Sequence, residues 1–146
     1  MTRKTKKIIL VAVLLVAVLG ASVGYYLYNK GPIDVKNSSS IKITAEELYK
    51  AFSTDSTSSL KKYAGNILLI KGRVTSISVD QQKEKIILLK TTADGASINC
   101  TMEKDPGNIN TNEEVNIKGI CSGIGQGDED LGIKADVYLT RCFLIK

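Results

Sequence analysis

Asn66-Ile67-Leu68-Leu69-Ile70-Lys71-Gly72-Arg73-Val74-Thr75-Ser76-Ile77-Ser78-Val79 is a long β-prone run with one glycine near its middle. Leu68, Ile70, Gly72 and Val74 share one phase of a two-residue alternation, and Lys71, Arg73 and Thr75 share the other. That is the pattern of a strand with one dry and one wet face. A strand this long with an interior glycine can bend and pair on both sides, which is how a small barrel closes. Gly72 is the expected bend.

Downstream, the chain reads as strand after strand. Gln81-Gln82-Lys83-Glu84 predicts a polar turn into Lys85-Ile86-Ile87-Leu88-Leu89-Lys90-Thr91, and Ala93-Asp94-Gly95 a second turn into Ser97-Ile98-Asn99-Cys100-Thr101-Met102. Residues 103–112, with Pro106-Gly107, form a polar connection with little helical pattern. The fourth strand is expected over 114–124, where Val115, Ile117, Gly119, Cys121 and Gly123 share a phase. A Gly- and Asp-rich loop, 125–136, leads to the last strand, 137–145. There Val137 and Leu139 follow one phase and Cys142 and Leu144 the other, which predicts a bulge near Thr140 or Arg141. Three meander strands, a connection and two closing strands predict a mainly β fold, a five-stranded barrel of OB type. An SH3-like barrel or a five-stranded sandwich is the alternative.

Upstream, Thr44 with Glu47 three residues later is a capping box, and Ala45, Leu48, Tyr49 and Phe52 fall on one helical face. A second short helix is expected over 55–65, capped by Asp55 or Ser56 and ended by Gly65. One or two short helices thus precede the barrel and pack on it. Residues 31–42 are Ser-rich and polar and read as a linker.

Ahead of the linker, residues 8–28 carry no charge and follow Arg3, Lys4, Lys6 and Lys7. As a helix this run is long enough to cross a hydrocarbon core of about 30 Å. The basic flank predicts a cytoplasmic N-terminus and a single pass, with the C-terminal domain periplasmic or extracellular. Tyr25, Tyr26 and Tyr28, followed by Lys30, fall where an interfacial belt would lie. Gly20-Ala21-Ser22 offers small residues for signal-peptide cleavage, but the apolar run continues past them, so an uncleaved anchor is the expectation. The expected organisation is therefore basic tail and transmembrane anchor over 1–30, linker over 31–42 and barrel domain over 43–146.

The formal charge of +5 resides in the tail. Residues 1–30 hold five of the 20 Lys and Arg and none of the 15 Asp and Glu, so the remainder balances at 15 of each. A neutral domain lacks the long-range field that draws proteins to phosphate backbones. There is no histidine, which removes Ser-His-Asp and Cys-His catalysis and most catalytic zinc sites. The three cysteines are too widely spaced for a CxxC motif.

Taken together, Thr44-Ala45-Glu46-Glu47-Leu48, Lys62-Tyr63-Ala64-Gly65-Asn66, Ile70-Lys71-Gly72-Arg73-Val74, Ile98-Asn99-Cys100, residues 115–123 and Leu139-Thr140-Arg141-Cys142 resemble the tRNA_anti-like family. The resemblance covers residues 43–146. It implies an OB fold related to the anticodon-binding barrel of aminoacyl-tRNA synthetases, in small bacterial proteins that often carry an N-terminal membrane segment. A fold of this kind does not fix an activity.

Lys71, Arg73, Lys85 and Lys90 lie on the first two strands, where OB barrels commonly bind ligands, and are the candidate ligand-binding residues. No aromatic residue accompanies them for base stacking, so a solvated face is the favoured reading. Cys100, Cys121 and Cys142 occupy apolar-phase positions and read first as core residues. In an oxidising compartment Cys121–Cys142 is the expected disulfide and Cys100–Cys142 the second choice. Asp128, Glu129 and Asp130 with Asp136 match no EF-hand spacing and read as a solvated loop. The expected protein is a membrane-anchored extracytoplasmic binding or interaction module. It has no catalytic constellation, metal or cofactor, and its partner is a protein or small molecule. Single-stranded nucleic acid or tRNA on the barrel face is the alternative, with nucleic acid the less expected partner.

Overall fold

Along the chain, the structure, a computed structural model, has helix α1 (Arg3–Asn29), strand β1 (Ile41–Thr44), and helices α2 (Ala45–Thr54) and α3 (Ser56–Tyr63). Strands β2 (Ile67–Val79), β3 (Lys85–Lys90), β4 (Ser97–Met102), β5 (Glu114–Ile124) and β6 (Val137–Ile145) follow. Residues 3–29, 31, 33–128 and 130–145 are described; Lys30 of the expected interfacial belt, Pro32 of the linker, Glu129 of the acidic loop, Lys146 and residues 1–2 lie outside them. The chain divides into two units, 1–33 and 34–146.

In the first unit, the 25 residues Thr5–Asn29 of α1 are long and apolar enough to cross a membrane, judged by length and composition. At 1.5 Å per residue they span about 37 Å.

The second unit is a closed barrel. Neighbouring strands run β2–β3–β4–β6–β5, and β5 returns to β2. The closure depends on β2 pairing on both edges. Its first half, Ile67–Arg73, runs antiparallel to β5, and its second half, Val74–Val79, runs antiparallel to β3. Of the three remaining contacts, β3 with β4 and β5 with β6 are antiparallel, and β4 with β6 is parallel. The alternation predicted for β2 holds: Leu68, Ile70 and Val74 are fully buried. The register break between β2 and β3 lies between Val74 and Ser76. At Gly72 the requirement is close approach, because a Cβ there would come within 3.0 Å of the Ala45 Cβ and 3.1 Å of Leu89 Cδ1.

Both short helices form as their caps predict. Thr44 caps α2: Glu47 N–H donates to Thr44 Oγ1 at 3.2 Å, and Thr44 N–H donates to Glu47 Oε2 at 3.1 Å. Asp55 caps α3 by accepting from Ser58 N–H at 3.0 Å. The helix α2 buries Ala45, Leu48, Tyr49 and Phe52 against the barrel core, where Tyr63 of α3 meets Phe52 with ring centroids 6.1 Å apart. In β6 the predicted bulge is present. The ladder to β5 shifts between Ile120↔Thr140 and Lys118↔Phe143, and Arg141 takes φ of 52°.

Two features were not anticipated. The strand β1 pairs parallel with Leu68–Lys71, on the edge of β2 that β3 leaves unpaired. The barrel unit also begins at Asp34, inside the stretch expected as linker. Residues 34–38 form a turn in which Ser38 N–H donates to the Asp34 carbonyl and Asn37 donates to the Asp34 carboxylate. Val35 in this turn is 1% exposed, and Lys118 Nζ reaches from β5 to donate to the carbonyls of Lys36 and Ser38. A buried ammonium needs such acceptors, and the turn supplies them.

Candidate binding face

Three of the four predicted cations meet at one place. Lys71 and Arg73 project from β2 and Lys90 from the end of β3. Together with Thr44, Ala45, Glu46, Gly72 and Glu114 they line a cleft of about 330 Å³ at the start of α2. The local sequence explains the meeting. Lys71 and Arg73 occupy the outward phase of β2, and the antiparallel ladder places Lys90 just beyond the Val74↔Leu89 pair. The missing side chain at Gly72 lets the first turn of α2 settle beside them.

Lys71 forms an ion pair with Glu114 at 3.3 Å, with both side chains more than half exposed. Such a pair contributes little to stability and can open for an anionic ligand. Among the described residues the ion pairs do not include Arg73 or Lys90. The cleft thus gathers three cations and two carboxylates, a local positive excess on a domain that is neutral as a whole.

Lys85 is not part of this site. It starts β3, about 17 Å along the strand from Lys90. Its Nζ donates to Asp105 Oδ1 at 2.7 Å and to the Gly107 carbonyl at 3.3 Å, fastening the 103–112 connection. That bond is the first cause holding the Asp105 carboxyl below its ordinary range.

A second depression, of about 450 Å³, adjoins the cleft and shares Thr44 and Lys71 with it. It is lined by Ile43, Leu69 and Ile145 together with Lys42, Glu47 and Asn116. The second depression adds the apolar side chains of Ile43, Leu69 and Ile145 beside the cationic cleft. Sequence reasoning missed the apolar half because Ile43 belongs to the unanticipated β1 and Leu69 lies on the wet phase of β2.

The remaining candidates fall elsewhere. Cys100, Cys121 and Cys142 are buried and free. The sheet register does not set Cys121 opposite Cys142. Cys121 lies opposite Leu139, and the β6 bulge places Cys142 beside Gly119. The influence of Cys100, then burial, pushes the Cys142 thiol well above its ordinary range. Burial alone raises Cys121. In the acidic loop, Asp128 accepts from Leu131 N–H at 3.1 Å, and Asp136 accepts from Ser97 N–H at 2.7 Å, capping the start of β4. Arg141, displaced outward by the bulge, holds Glu103 at 2.6 and 3.2 Å. This is an ion pair that no spacing in the sequence announced.

The small closed β-barrel, preceded by two capped helices, is of OB type. The chain belongs to the tRNA_anti-like family, whose model matches residues 1–130. Among solved structures it is similar to a protein described as an aspartyl-tRNA synthetase from Leishmania major Friedlin, at 13% identity and a TM-score of 0.45, covering 80% of this chain and 23% of that one. It is also similar to the aspartyl-tRNA synthetase from Entamoeba histolytica, at 11% identity and a TM-score of 0.39, covering 77% and 26% respectively. The chain therefore spans about a quarter of the length of these synthetases. No relative was found among curated proteins.

Proposed function

We propose that this protein is a membrane-tethered, extracytoplasmic binding module. In this reading it holds an extended protein segment along the surface formed by the apolar depression and the cationic cleft. The observation that carries the reading is the continuity of those two depressions through Thr44 and Lys71. An occupant that fits both halves places an apolar side chain near Ile43 and Leu69 and an acidic group near Arg73 and Lys90. Affinity then comes from burying apolar surface, and register from the charges. The tether is α1, whose apolar length suits a single pass; the basic residues ahead of it favour a cytoplasmic N-terminus. Binding needs no catalytic group, and the reading assigns none.

Single-stranded nucleic acid or tRNA is the second reading. It is favoured by the family resemblance and by the gathering of Lys71, Arg73 and Lys90, which the neutral overall charge of the domain had obscured. A titration of the full chain in detergent with single-stranded DNA and with tRNA at low salt separates the two. The protein-segment reading predicts no salt-sensitive binding. Binding that weakens steeply with salt and is abolished by Arg73→Glu with Lys90→Glu would make nucleic acid the ligand.

A further inference from the structure

A third depression, of about 490 Å³, lies close to where the chain enters the barrel unit. Lys36, Lys104, Phe143 and Ile145 are among the residues that line it. Lys36 belongs to the turn 34–38, whose carbonyls at Lys36 and Ser38 accept from the buried Lys118 ammonium, so its side chain leaves from a fixed backbone. Lys104 follows the end of β4, and Phe143 and Ile145 lie in the last turns of β6. Because β4 and β6 run parallel, both strands deliver their ends to this one place. The carboxylate in the lining is already satisfied: Asp105 accepts from Lys85 Nζ at 2.7 Å and from Gly107 N–H at 2.9 Å. Lys36 and Lys104 are exposed, and the ion pairs among the described residues include neither. The depression therefore offers two exposed cations beside the half-buried side chains of Phe143 and Ile145.

Chain length limits how far this depression can stand from a bilayer. The helix α1 ends at Asn29 and the barrel unit begins at Asp34. Five fully extended steps reach at most about 18 Å, and Lys36 is only two residues further on. We infer that this depression is a membrane-docking surface, and that its occupant is the headgroup of an anionic phospholipid in the leaflet where α1 ends. The lipid phosphate sits between Lys36 and Lys104, and the glycerol and upper acyl segment lie against Phe143 and Ile145. Attraction of cations to an anionic surface and burial of apolar side chains at the headgroup boundary reinforce each other. A soluble anion would use the lysines alone, whereas a lipid uses both kinds of side chain. The inference rests on the membrane tether proposed above. Docking of this kind also fixes an orientation. The turn 92–95 and the loop 125–136, at the opposite ends of β4 and β6, point away from the bilayer. The apolar depression of the binding face, which shares Ile145, is held close to it.

The chain has no tryptophan, so one introduced indole reports a single position. The test places the full chain in nanodiscs of phosphatidylcholine, with or without phosphatidylglycerol, that contain a phospholipid spin-labelled on its headgroup. Ser39→Trp sets the reporter beside the docking turn, and Asp94→Trp sets it at the far end of β4. With phosphatidylglycerol present, emission from position 39 should be quenched more strongly than emission from position 94. That excess should be lost when Lys36→Glu and Lys104→Glu are added, and should shrink in phosphatidylcholine alone and at high salt. The same charge reversal at Lys50 and Lys61 should leave it in place. Equal quenching at positions 39 and 94 would overturn the docking, as would an excess that survives Lys36→Glu with Lys104→Glu. Leu14→Trp with acyl-chain-brominated lipid reads the tether separately. Quenching at position 14 without the excess at 39 would overturn the docking alone, whereas no quenching at 14 would remove the tether and the docking with it.

Discussion

Lys118 secures the start of the barrel domain. Its ammonium, nearly inaccessible on β5, is satisfied by two main-chain carbonyls from a turn some eighty residues earlier. Lys118→Ala removes those charge-assisted bonds and should cost about 1–3 kcal/mol in chemical denaturation. Hydrogen exchange at residues 34–38 should rise at the same time; unchanged protection there would show that Val35 alone holds the turn. Gly72 carries a steric requirement. Gly72→Val drives a branched side chain into Ala45 and Leu89 and should destabilise by about 1–3 kcal/mol. The phase of Lys118 in the sequence was that of a wet residue, and nothing marked its acceptors, because carbonyl oxygens have no sequence signature. Val35 was similarly hidden, a lone apolar residue in a polar stretch. Val74, Ile117 and Leu139 were legible because two-residue alternation alone sorts a strand's faces.

At the scale of elements, the caps of α2 and α3 make the domain sensitive to acid. Hydrogen bonds from Thr44 hold the Glu47 carboxyl below its ordinary range, and bonds from Ser58 do the same for Asp55. A depressed carboxyl contributes stability that is complete above the unfolded value, near pH 4, and is lost as pH falls through the lower folded value. Helix content followed by circular dichroism should therefore decline below about pH 4, and less steeply in an Asp55→Asn variant. At neutral pH, Thr44→Ala should cost about 1 kcal/mol. These helices were legible because a capping box is local. So was the β6 bulge, because the apolar phase switches within the strand. The strand β1 was not. Four residues, Ile41–Thr44, carry too little pattern, and what makes them a strand is the vacant edge of β2 more than twenty residues away. The candidate site divides in the same way. Its cations could be read from two strands. Their convergence depends on how α2 seats over Gly72, whereas Lys85 is set apart by its place at the far end of β3.

In the whole molecule an apolar helix precedes an OB barrel whose outer surface offers adjoining apolar and cationic depressions. The most direct measurement is photo-crosslinking in intact cells, with the crosslinking side chain placed at Lys90 in the cleft, at Leu69 in the apolar depression, and at Lys83 in the 80–84 turn as a control. The same protein partner should be captured from positions 69 and 90 and not from 83, with capture lost when Arg73→Glu is added. Capture of nucleic acid at position 90, equal capture at all three positions, or capture only at position 83 would contradict the protein-segment reading.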